Sequence, residues 1–547
     1  MFDTPGVYVR EIPSGNRPIA GVATSTTAFV CVTQRGPVNR AVRVTSYGEF
    51  ERIYGGLMDG TEGTYAVRNY FLNGGSVAFI VRVTAGEGGD APAAATQDVP
   101  VLTPAATTTI TVTANSVGEW GDRLRVGIAH AGPGATRFTM LVREYEGDAV
   151  VREEAFLDVS TDAANPRYVE TVVAAESELV TVAHTDGELP DRTMIGTPAE
   201  AATTLDALLE APAAALTQLA DGGDGVLPGN TADWEGAVIG AIVGEEGDGS
   251  AANPPTGMFA LNTIAPEVFN LLCLPDVAVM NQADATRLAN MASVYQSAVA
   301  YCRRNFAFLL VDVPPDVDRS NFGTWLGALG AAAGPDAAMY YPRVNGPDPL
   351  NGGALRGMAT SGIAAGQYAR TDAARGVWKA PAGTEARIAG GVPSDPMTDR
   401  QQGPLNTQGL NTIRTFPVYG SVIWGARTLD GADARASEWR YVPVRRLALF
   451  IENSLQRGLQ WVVFEPNDEP LWANVRLSVN AFMSQLHRQG AFQGASARDA
   501  YLVKCDSETT TQADINLGIL NIYVGFAPVR PAEFIVLRIQ QRIQRAT

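Results

Sequence analysis

The sequence predicts a multidomain α/β chain, interrupted by a β-rich insert and ended by extended segments at both termini. Three observations carry this expectation. Two apolar runs, Asn270–Leu274 (NLLCL) and Phe306–Val313 (FAFLLVDV), flank a stretch where Leu288, Met291, Tyr295, Ala298 and Cys302 recur at spacings of three and four. Strand, one-faced helix and buried strand in that order are the signature of a parallel α/β unit. Acidic charge is confined to one segment: Thr84–Pro255 holds 28 Asp and Glu against 7 Arg, while the rest holds 30 acids and 34 bases. Finally, the chain opens on TPGVYVREIPSG, where Val7, Val9 and Ile12 are separated by Tyr8, Arg10 and Glu11 between two turn signals.

That opening arm, residues 1–22, reads as a strand without a sheet. Its backbone N–H and C=O groups need partners, and the partner sheet lies either in this chain or in a neighbour. The runs AFVCVT (Ala28–Thr33) and SVAFIVRV (Ser76–Val83) supply strands to a first host segment, 23–90. The acidic segment, 91–255, has loop-like edges, AGEGGDAPAAA and GEEGDGSAANPPTG. Inside it TTITVTA, RLRVGIA, RFTMLVREYE and YVETVV read as short strands of an inserted domain with a solvated outer surface. The host resumes at GMFALNTI and runs over 256–404, followed by a further domain over 405–530 and a tail, 531–547. In the tail, Phe534 and Val536 alternate with Ile535, Leu537 and Ile539 around Arg538, as in a strand covered on both faces. At 547 residues the chain exceeds the ~250–300 at which one hydrophobic core stops growing.

Composition excludes several function classes. A net charge of −17 and the absence of a strongly basic patch disfavour nucleic acid as a partner. No apolar run has the length of a transmembrane helix, and the first residues lack the basic and apolar parts of a signal peptide, so no direct membrane insertion is expected. Cys31, Cys273, Cys302 and Cys505 are scattered and read as reduced, buried thiols. Asp312 ends a buried strand, a favoured position for catalytic groups in α/β folds. The only histidines are His130 and His184 in the acidic segment and His487 near the C-terminus, so no base is local to Asp312. With no G-x-S-x-G, H-E-x-x-H or G-x-x-x-x-G-K-[ST] motif either, Asp312 reads as a strand-end cap, and no catalytic residue, metal site or cofactor is expected. The competing enzyme reading is an α/β hydrolase carrying an acidic specificity domain.

The last third holds the most distinctive stretches: ARTD (Ala369–Asp372), GVWKAPAG (Gly376–Gly383), WGARTL (Trp424–Leu429), YVPVRR (Tyr441–Arg446), VFEPND (Val463–Asp468) and PAEF (Pro531–Phe534). Together with TPGVYVREIPSG and TSTTAFV, these resemble the contractile tail sheath protein family of phage tails, contractile bacteriocins and extracellular contractile injection systems. The resemblance spans both ends and the middle and matches the acidic segment only loosely. One departure is Gly357–Gly362 (GMATSG), where many relatives have a Pro-Pro-Ser-Gly turn.

The resemblance implies a subtilisin-like central domain without protease activity, a C-terminal α+β sheath domain, and arms that donate strands to neighbouring subunits. Val7, Tyr8, Val9, Arg10, Glu11 and Ile12 would form one donor strand, and Phe534, Ile535, Val536, Leu537, Arg538 and Ile539 the other. It further implies a helical homopolymer of stacked six-fold rings around an inner tube protein, with baseplate and sheath-terminating cap proteins at its ends. Such a particle is made in the bacterial cytoplasm. Two helices, Val444–Gln456 and Ala473–Arg488, are candidates to grip the tube. On them Arg445, Arg446, Arg476 and Arg488 could meet an acidic tube surface, although solvated helix faces explain these arginines equally well.

Overall fold

The computed structural model describes residues 17–86, 91–100, 109–132, 134–184, 189–195, 200–225, 234–280 and 286–533. Both expected donor strands, Val7–Ile12 and Phe534–Ile539, lie outside them. At the centre is an eight-stranded sheet. Its strands are β1 (Thr27–Cys31), β2 (Val42–Val44), β3 (Ala78–Arg82), β4 (Leu271–Cys273), β5 (Phe308–Val311), β6 (Ala337–Tyr341), β7 (Asn411–Phe416) and β8 (Gly420–Trp424), in the order β2-β3-β1-β4-β5-β6-β7-β8. The six inner strands run parallel, and β2 and β8 close the edges antiparallel.

The continuous apolar runs in these strands are explained by cover on both faces. Alternate residues of β1 enter opposite cores, Ala28 and Val30 on one side and Phe29 and Cys31 on the other. Helices α1 (Gly63–Leu72) and α4 (Ser361–Arg375) cover the second side, while α2 (Trp234–Val243) and α3 (Arg287–Arg304) cover the first. The spacing that predicted α3 is borne out in its packing, since Met291, Tyr295, Ala298 and Cys302 are all buried. Helices α1 and α4 pack backbone to backbone: a Cβ at Gly362 would stand 2.0 Å from the Ala66 carbonyl oxygen, and one at Gly366 2.5 Å from that of Tyr70. The glycine spacing of SGIAAG is therefore a packing requirement.

The acidic insert is narrower than the charge distribution suggested. Its entry and exit pair with each other, Ala93 N–H donating to Gly223 O and Gly223 N–H to Ala93 O, both at 2.9 Å. Between them lie a three-stranded sheet (Thr96–Pro100, Thr109–Ala114, Val180–His184) and a four-stranded one built on Leu124–Ala129, Phe138–Glu146 and Ala149–Val159. One stretch read as a strand, YVETVV, is instead part of a helix, Val169–Glu176, burying Val169, Val172 and Val173 at helical spacing. Helix α2 falls inside the acidic segment by charge, yet its Val238 and Ile242 are buried in the host core. The host therefore resumes before α2 rather than at 256. Insert and host meet through polar contacts: Arg35 pairs with Glu144 at 3.0 Å, and Arg82 donates to Val117 O at 2.9 Å.

Beyond the sheet, α5 (Val442–Gly458) bridges two cores. Val442 and Leu449 pack under the sheet, whereas Leu447 and Ile451 join α6 (Glu469–Arg488) in a separate C-terminal core. That core also takes in Ile19, so the described end of the N-terminal arm packs with α5 and α6 of its own chain. A two-stranded antiparallel ribbon, β9 (Tyr501–Lys504) and β10 (Tyr523–Phe526), completes the region.

Candidate assembly interface

The carboxyl end of the parallel sheet, where α/β folds usually bind ligands, is occupied by the protein's own structure. Asp312 is fully buried after β5, and its Oδ1 accepts from Thr360 N–H and Ser361 N–H, both at 2.8 Å, capping α4. Asp276, also fully buried, does the same for α1: Oδ1 accepts from Glu62 N–H and Gly63 N–H, and Oδ2 from Val32 N–H. Burial raises both carboxyl pKa values to about 6, against the opposing pull of these N–H groups. None of the histidines joins them. His130 is buried in the insert against Pro190 O, His184 ends an insert strand, and His487 contacts Gly494 O at the end of α6. The capping role expected of Asp312 stands, although the partner is a helix terminus rather than its own strand end.

Four of the motifs that suggested the family are ion-paired two by two across long sequence separations. Arg446 of YVPVRR binds Asp372 of ARTD through two bonds of 3.0 and 2.6 Å, donates to Thr24 O, and lies over the Tyr368 ring. Arg427 of WGARTL grips Glu533 of PAEF in a fork, Nε to Oε1 at 2.9 Å and Nη2 to Oε2 at 2.6 Å. In VFEPND, Asp468 caps α6 through Leu471 N–H, and Asn467 accepts from the Trp472 indole at 2.8 Å. Sequence reasoning found these stretches but not their pairing, because nothing local links residues 74 or 106 positions apart.

The four arginines proposed to face a tube separate accordingly. Arg446 is withdrawn from that set, since it is 4% exposed and committed to a buried carboxylate. Arg445 binds Asp336 at 2.6 Å and lies over Trp439, which holds it against its own subunit. Arg476 is partly exposed and bonded to Glu469 and Cys505 O. Arg488 is exposed, with no ion pair among the described residues.

Burial thins out toward the C-terminus. From Thr511 to Glu533 no residue is buried, and Leu502, Leu517 and Tyr523 are exposed apolar side chains on or beside the ribbon. Among the described residues no further strand joins β9 or β10, and just past β10 Gln493 N–H donates to Ala527 O at 2.8 Å. Beside them, a cleft of about 940 Å³ opens between the central and C-terminal regions, walled by Trp378, Trp424 and residues 529–533.

Comparison with known proteins agrees with this architecture. Residues 435–542 match the family model of the phage tail sheath C-terminal domain. The tail sheath protein of Burkholderia phage BcepMu is 30% identical over 279 residues, 48% of this chain and 53% of that one. The matched stretches span 26% to 53% of the curated relatives' own lengths. Among solved structures, the contracted sheath complex of the PVC extracellular contractile injection system superposes with a TM-score of 0.54 at 21% identity, covering 100% of this chain and 99% of that one. The sheath tail protein of Listeria innocua gives 0.56 at 13% identity, over 94% and 96%. Residues 435–542 are thus similar to the phage tail sheath C-terminal domain, and the chain has the fold of the contractile tail sheath proteins.

Proposed function

We propose that this chain is the structural subunit of a contractile sheath, polymerising as stacked six-fold rings around an inner tube and shortening to drive that tube through a target envelope. The observation that carries the reading is the β9–β10 ribbon, which no further strand joins among the described residues and whose burial is thin, on a domain matching the sheath C-terminal family. A two-stranded ribbon is marginal alone, and strand addition from neighbouring arms is the recurring way to complete one. The arms proposed to do so are residues 7–12 and 534–539. Strands joined in this way can keep neighbours connected while the folded domains rotate as rigid bodies. The work of contraction is then the free-energy difference between two packings of the same subunits.

The central sheet fits a subtilisin-like domain without protease activity, because its carboxyl edge holds helix-capping aspartates and no histidine beside Asp312. Of the tube-facing candidates, Arg488 is the one whose side chain is exposed and unpaired among the described residues. Electron microscopy of the overexpressed chain tests the reading directly. Helical tubes are expected; monodisperse particles that turn over a generic ester or peptide would sustain the hydrolase instead.

A further inference from the structure

We propose that Arg427 and Glu533 form an anchor that fixes where the C-terminal arm leaves the subunit, with Glu533 as a positioning residue for assembly. This rests on the donor-arm reading above and adds to it the residue that aims the arm. Arg427 is wholly buried, a rare environment for an arginine. All three of its guanidinium nitrogens are engaged: besides the fork to Glu533 through Nε and Nη2, Nη1 lies within bonding distance of the carbonyls of Asn406 and Gly431 and of Asp433 Oδ1 at 3.0 Å. Tyr441 adds a hydroxyl contact of 3.3 Å to Glu533 Oε2. Planar two-bond pairing of arginine with carboxylate fixes direction as well as distance.

The position of this pair is what gives it a function. No residue from Thr511 to Glu533 is fully buried: Ile515, Leu520, Ile522, Val524 and Phe526 pack partly buried against the C-terminal core, and none of the described residues after Phe526 joins it. Glu533 is nevertheless tied to the central domain, 106 residues away in sequence from Arg427. It is the last described residue, directly before the Phe534–Ile539 segment. A donor strand must reach its neighbour's ribbon in one register, and anchoring its root reduces the conformations it must lose on docking.

Glu533→Ala removes the carboxylate that holds Nε and Nη2 of Arg427, while Asn406 O, Gly431 O and Asp433 still hold Nη1. The full-length variant is expected to stay folded with a lowered thermal unfolding midpoint, because two donors of a buried arginine lose their partner, so assembly is compared well below that midpoint. It should form tubes at a yield at least about tenfold lower, and chymotrypsin should cleave after Phe534 about tenfold faster, since the root is no longer clamped. Glu533→Gln keeps the shape and part of the hydrogen bonding and should recover part of both effects. A chain ending at Glu533 is the control. If that truncation abolishes tubes while Glu533→Ala makes them at the normal yield, the anchor is overturned and the donor arm survives. If the truncated chain still makes normal tubes, the donor-arm reading itself fails and the anchor with it.

Discussion

The central sheet and the C-terminal ribbon represent two ways of finishing a β-structure. In the centre every inner strand is paired on both sides, both faces are covered by helices, and helix termini are capped by buried aspartates. In the ribbon the two strands pair only with each other among the described residues, and none from Thr511 to Glu533 is buried. The first is a unit complete within one chain. The second exposes edges that single-chain proteins usually shorten, charge or cover, which is the condition expected of a surface completed by other subunits. Changes in the centre should therefore damage the subunit, and changes around the ribbon should damage only the assembly.

Excision of the insert should give the largest contrast. Replacing residues 94–222 with a short Gly/Ser linker joins ends that already pair, and should leave a folded host measurable by cooperative thermal unfolding. The wider cut, 97–249, also removes α2 and with it Val238 and Ile242, at about 1.5–3 kcal/mol for each buried side chain. That protein should fail to fold; a soluble, cooperatively unfolding product would place α2 outside the core. Next in size is Gly362→Ala. A methyl 2.0 Å from the Ala66 carbonyl oxygen forces α1 and α4 apart, and a loss above about 3 kcal/mol is expected from chemical denaturation.

The smallest effect is electrostatic. Burial holds the Asp312 pKa at about 6 in the folded state, above the ordinary ~3.9 of an unfolded aspartate, so the folded chain binds this proton more tightly. Its contribution to stability is full below the unfolded pKa and fades as pH rises through 6. Between pH 7 and pH 5 the wild type should therefore gain about 1 kcal/mol relative to Asp312→Asn, whose amide oxygen can still cap α4. An unchanged gap in denaturation midpoints across that range would mean that the carboxyl is not held high by burial.

Much of the centre was legible because its signals are local. Apolar runs gave β1, β3, β4 and β5, and three-four spacing gave α3. The insert boundary was misread because charge was used as its marker. Helix α2, WEGAVIGAIV, is apolar on most of its circumference and sits in an acidic neighbourhood without belonging to the acidic domain. YVETVV reads as a strand by its β-branched content, but Val169, Val172 and Val173 stand at the three- and four-residue spacing of a helix face. The motifs were visible as distinctive strings, but Arg446–Asp372 and Arg427–Glu533 are products of the fold. A surface arginine and a buried paired one look alike in sequence, and that is why Arg446 entered the tube-facing set.

The contrast between a finished centre and an unfinished ribbon is tested most directly by the double variant Val7→Pro/Val9→Pro. Proline keeps the arm's length but cannot donate to a strand ladder, and each lost backbone hydrogen bond is worth roughly 0.5–1.5 kcal/mol net. The measurement is a pair: thermal unfolding of the isolated subunit and tube formation by electron microscopy. An unfolding midpoint within about 2 °C of wild type, together with the loss of long tubes, is the expected result. Tubes that still form and contract as one piece would show that the arm does not complete a neighbour's sheet.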